Sequence, residues 1–120
     1  MDLIVKLNRL TSLGKIEWHV EDAPESVVLG TDSIVPLFMR AEYKEQRFGL
    51  YICRYRWYDG DNDKNYWTEK SVVAIIDQVD RVLWESEFQT SALRDLMENA
   101  RSQVAGVDNI INGILDENDD

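Results

Sequence analysis

Apolar residues at Leu3, Ile4, Leu7, Leu10 and Leu13 recur at the three-and-four spacing of one helix face. Gly14 follows where a left-handed cap closes such a helix, so a short N-terminal helix is expected over residues 2–13. From Lys15 the period changes to two. Ile16, Trp18 and Val20 alternate with Lys15, Glu17, His19 and Glu21, which predicts a half-buried strand over 15–21. A turn at Asp22-Ala-Pro24 and a short apolar run, Val27 to Leu29, lead to the break at Gly30.

Period-two alternation then dominates. Leu37, Met39, Ala41 and Tyr43 share a face in the first segment, and Pro36, without a backbone donor, belongs at a strand beginning or an edge. After the polar step 44–47, Tyr51, Cys53, Tyr55 and Trp57 line one face of the next strand and Leu50, Ile52, Arg54 and Arg56 the other. A polar loop at 59–65, a strand at 66–77, a tight connection at 78–80 and a strand at 81–88 follow. In the last of these Val82, Trp84, Ser86 and Phe88 alternate onto one face. The pattern predicts two hairpins, 34–58 and 66–88.

Beyond a cap at Thr90 or Ser91, apolar residues stand at Leu93, Met97, Ala100, Val104, Val107, Ile111 and Ile114. Alternating steps of four and three make a heptad seam, and the seam passes through Gly106. One long helix over 91–115 is therefore expected. A break at Gly106, which costs about 1 kcal/mol against alanine inside a helix, is the competing outcome. Such a helix would run roughly 37 Å against the ~17–20 Å of ordinary strands, so its end would project past the sheet. The fold class that follows is α+β: a mainly antiparallel sheet with a short N-terminal and a long C-terminal helix packed on it. Residues 1–115 read as a single domain and 116–120 as an acidic, solvated tail.

Charge changes the picture more than composition does. The 120 residues carry a net charge of −10, but residues 1–60 hold 8 basic against 9 acidic side chains and residues 61–120 hold 5 against 14. A surface this acidic repels a phosphate backbone, so direct nucleic-acid binding is not expected; the charge serves solubility, with a basic protein surface as the alternative it leaves open. No run of 18 apolar residues suggests a membrane span, the first residues lack a basic leader pattern, and Cys53 is the single cysteine, so no internal disulfide forms. A cytoplasmic setting is expected.

Candidate chemistry is sparse. Asp59, Asp61, Asp63 and Asn65 imitate the first ligands of a calcium loop, but Lys64 and Lys70 stand where a glycine and a bidentate glutamate are required. One histidine and one cysteine cannot build a multi-ligand metal site of those types, and no phosphate-cradling glycine pattern occurs. No metal or cofactor is expected. His19, flanked by Glu17 and Glu21, is the residue an acid–base enzyme would use; a buried, inert thiol is expected for Cys53. Arg40, Lys44, Arg47, Arg54 and Arg56 make 40–57 the one basic stretch, and Arg54 and Arg56 alternate away from Tyr55 and Trp57. Ion pairs with Glu69 or Glu85 on neighbouring strands account for these arginines. The sequence thus reads as a small non-catalytic interaction module of adaptor, inhibitor, immunity or chaperone-like type. Val107, Ile110, Ile111, Ile114 and Leu115 would dock a protein partner or a second copy, with Arg54 and Arg56 as a further contact. The alternatives are an acidic nucleic-acid mimic and an enzyme built on His19.

Overall fold

Strand alternation in the sequence becomes a five-stranded antiparallel meander in the computed structural model, which describes residues 2–28, 34–86 and 89–117. The elements are α1 (Asp2–Ser12), β1 (His19–Glu21), α2 (Glu25–Val28), β2 (Ile34–Tyr43), β3 (Gln46–Asp59), β4 (Lys64–Ile76), β5 (Val82–Ser86), α3 (Ser91–Ala105) and α4 (Val107–Leu115). The strands lie in chain order. The last two residues of the expected 66–88 hairpin and the end of the expected tail fall outside the described residues.

Each sheet face covers a core. On one, Met39, Ala41, Phe48, Leu50 and Val73 meet Ile4, Leu7 and Leu10 of α1 and Leu93, Leu96, Met97 and Ala100 of α3. On the other, Phe38, Tyr51, Cys53, Val72, Ala74 and Ile76 are covered by Ala23 and Val27. Gly49 sits in this second core because a Cβ there would stand 2.7 Å from Ile76 Cδ1 and 3.0 Å from the Phe38 ring. The β2–β3 turn holds Lys44 and Glu45 both left-handed, at φ 51° and 67°, the backbone of the tight hairpin turn that matches strand twist. Pro36 lies near the start of β2, inside the register shift between Ile34 and Leu37.

Three expectations are corrected. The strand expected at 15–21 is formed only at His19–Glu21, because α3 takes the backbone before it. The Gln103 amide accepts from Trp18 N (2.7 Å) and donates to Ile16 O (2.7 Å), standing in for a strand neighbour. Trp18 is buried behind it and donates through Nε1 to Thr11 Oγ1. Gln89 does the same for β4, donating to Ser71 O and accepting from Ser71 N. The long helix over 91–115 is two helices. Gly106 adopts φ 62°, ψ 40° and caps α3, its N–H directed at the Gln103 and Ser102 carbonyls, as a left-handed glycine does. Finally, Val82 and Trp84 are not on one face, since a register shift pairs Val82 with Ile76 and Trp84 with Ile75.

Two parts project. Among the described residues, 55–59 and 64–69 enter strand pairing only with each other, which makes the end of the β3–β4 hairpin a two-stranded arm. The second is α4, which follows α3 beyond Gly106. The molecule measures 58 × 40 × 27 Å with a radius of gyration of 16.9 Å, against roughly 14 Å for a compact chain of this length. Among the described residues no helix is long and apolar enough to cross a membrane.

Candidate functional site

Helix α4 carries apolar residues at 107, 110, 111, 114 and 115, which places them along one stripe of a helix. None of its described side chains belongs to either core. Ile111 is 48% exposed, Ile110 55%, Ile114 65% and Leu115 73%. The side chain of Val107 lies outside the described set. The physical reason is where α3 ends. Its buried residues stop at Ala100, Gln103 anchors the last turn to the 16–18 segment, and the chain beyond finds no sheet to lie on. A Cβ at Gly106 would meet nothing within 4 Å, so the break is not forced by packing.

The arm brings together the other two predicted contact residues. Arg54 donates from Nε and the second guanidinium nitrogen to Glu69 Oε1 at 3.2 and 2.8 Å, the cross-strand pair expected from the sequence. Glu85 instead accepts from the Tyr51 hydroxyl at 2.9 Å. Arg56 has no carboxylate opposite it. It faces Trp67 in register and stacks with its guanidinium carbon 5.0 Å from the ring centroid, a cation–π pair. Charge and aromatic surface therefore do share a face, because Trp67, 50% exposed, arrives from the neighbouring strand. Sequence alternation inside β3 could not show this; the pairing of Arg56 with Trp67 would have. On the opposite face Trp57, 53% exposed, leans on Tyr66 with ring centroids 5.9 Å apart.

The tip of the arm uses its carboxylates internally. Asp59 accepts from Asp61 N and from the Asn62 amide at 3.0 and 2.6 Å. Tyr58 donates to Asp63 at 2.6 Å, and this bond, with some desolvation, holds the phenol pKa above its ordinary value. The Asp59-to-Asn65 segment thus closes a hairpin.

His19 is exposed on β1 and lines an open groove of about 520 Å³ with Glu17, Glu21, Arg40 and Glu42. The groove's geometry is dominated by Arg40, which lies 3.0 Å from the Glu21 carboxylate and 2.8 Å from that of Asp80. Arg40 ties β1 and β2 to the turn between β4 and β5, and Glu21 is committed to it. Cys53 is buried in the second core, and among the described residues no group of three or more His, Cys, Asp or Glu side chains could hold a metal ion. Comparison with protein-family models, curated proteins and solved structures finds no match to this chain.

Proposed function

We propose that the protein is a small non-catalytic interaction module that docks through α4. The observation that carries this reading is the stripe of Ile110, Ile111, Ile114 and Leu115, exposed on a helix whose described side chains join neither core. Ile110, Ile111, Ile114 and Leu115 recur three and four residues apart, the spacing with which an amphipathic helix fills a hydrophobic groove. A contiguous apolar face left in water favours being covered.

The test compares capture by the wild type and by the double variant Ile111→Asp/Ile114→Asp, with circular dichroism showing that both are folded. Capture is carried out at low salt and at about 0.5 M, enough to screen exposed charges beyond a few ångströms. The expected result is a binder retained at high salt by the wild type and lost by the double variant. Retention by both proteins overturns the docking role of α4. Loss with salt in both favours the acidic-mimic reading.

A further inference from the structure

We infer that the outer edge of β4 along the arm is a second docking site, which takes an extended peptide segment of another protein as an added strand. The site is separate from α4, and its test is independent of the capture experiment.

The hydrogen-bonding direction of β4 follows from its partners. In an antiparallel ladder the N–H and C=O of one residue point to the same edge, and successive residues alternate between edges. Val73 and Ile75 face Ser86 and Trp84 of β5. Ser71, of the same parity, bonds outward with both groups: its N–H donates to Gln89 Oε1 at 3.0 Å and its C=O accepts from Gln89 Nε2 at 2.9 Å. Glu69, Trp67 and Asn65 share that parity, so their N–H and C=O groups point outward too. Their pairing with Arg54, Arg56 and Tyr58 is then of the non-hydrogen-bonded kind, which brings side chains closer. The Arg54–Glu69 bridge at 2.8 Å and the Arg56–Trp67 stack are its result. Among the described residues nothing bonds the outward groups of Glu69, Trp67 and Asn65.

Gln89 identifies the occupant. Its carboxamide supplies the donor and acceptor of one peptide group, seated on the last slot before the open stretch. The next slots ask for the same chemistry, continued as main chain in line with β5. From 65 to 69 the open edge runs about 14 Å, enough for a strand of common length. The other outer edges are blunted in the usual ways, since β1 has three residues and β5 carries a register shift. The β3–β4 ladder runs unshifted from Arg47↔Ile76 to Asp59↔Lys64.

Side chains of an added strand alternate between two aromatic surfaces. Those opposite Glu69 and Trp67 fall on the side of half-exposed Trp67 and of a groove of about 260 Å³ with Ile52 and Met97 in its lining. Those between them fall on the side of half-exposed Tyr66. In the groove Arg94 and Arg101 stand against Glu69 and Glu98. Charge therefore does not choose the occupant; main-chain bonds and alternating apolar side chains do.

A nuclear magnetic resonance titration tests it, with the peptide acetyl-Lys-Val-Thr-Val-Thr-Val-Lys-amide as probe, up to about 1 mM. One control is the same peptide N-methylated at each Val and Thr. The other is Trp67→Pro, which removes an outward donor and leaves the β3–β4 bonds in place; should that variant unfold, the N-methylated peptide decides alone. The peptide is expected to shift the Asn65, Trp67 and Glu69 amides and slow their hydrogen exchange, with the α4 amides unmoved. The N-methylated peptide is expected to shift none of them, and Trp67→Pro to weaken binding by about tenfold or more. Asn65, Trp67 and Glu69 amides that exchange as slowly as those of Tyr66 and Thr68 before peptide is added would mean a covered edge, and overturn the inference. So would the absence of shifts at the highest concentration, or equal shifts with the N-methylated peptide. Shifts that track protein concentration without peptide assign the edge to a second copy and overturn the peptide as its occupant.

Discussion

Single side chains in this protein often replace a piece of secondary structure. Gln103 and Gln89 each offer a carbonyl and an NH2 to one backbone stretch, which is what a neighbouring strand would offer. Asp77 closes the β4–β5 turn in a related way. Its carboxylate accepts from the backbone N–H groups of Val79 and Arg81 and from the Arg81 guanidinium at 2.7–3.0 Å. The Arg81 backbone bond, chiefly, holds its pKa below the ordinary carboxylate value. A carboxylate whose pKa is depressed by folding stabilises the fold above the unfolded value of about 3.9, and that contribution is lost as pH falls through the lower folded value. Asp77→Asn is therefore expected to lower the denaturant midpoint at pH 7 and to flatten the acid limb of stability below about pH 4. Denaturant melts at stepped pH check both; parallel wild-type and variant curves from neutral to acid would contradict the assignment.

At the scale of elements, alternation made the sheet legible. The segments that became β2 and β3 carry their core residues on the expected parity, that of β5 holds it only from Trp84 onward, and Lys44–Arg47 and Gln78–Asp80 marked two of the turns. What alternation cannot supply is the partner of a strand. Trp67 was invisible as the companion of Arg56, because the register across the 59–65 loop is set by the whole hairpin. The heptad seam misled for a related reason: its spacing is kept across Gly106, but none of the described side chains of α4 is packed into a core that would hold the helix straight. The balance at Gly106 is small. An alanine there would lose about 1–2 kcal/mol in the left-handed conformation and gain about 1 kcal/mol over glycine in a continuous helix. Gly106→Ala is expected to fuse α3 and α4. Helical signal would rise, and the distance between labels at Glu98 and Glu117 would approach roughly 28 Å. An unchanged distance would mean that something other than glycine geometry fixes the bend.

For the molecule as a whole, the two cores account for the fold and the two projections do not. None of the described α4 side chains belongs to either core, so termination after Gly106 is expected to change unfolding free energy by less than about 0.5 kcal/mol, the range of substitutions away from packed features. A loss of several kcal/mol in chemical denaturation would place α4 in the cooperative unit. The candidate site was partly legible for the same reason. The stripe on α4 is a local pattern and is read directly, whereas the Arg56–Trp67 pair exists only once β3 and β4 have paired.

The two ends of the chain meet early in the structure but late in time. Ile4, Leu7 and Leu10 are buried against Leu93, Leu96 and Met97, and Asn99 and Gln103 reach back 85–92 residues to Asn8, Thr11, Ser12, Ile16 and Trp18. A ribosome adding roughly 5–20 residues per second makes α1 about 4–18 s before α3. For that interval the newborn polypeptide carries a greasy amphipathic segment and an unshielded indole with their native cover not yet synthesised. Synthesis of α3 is thus the step that first offers this early segment its helical cover.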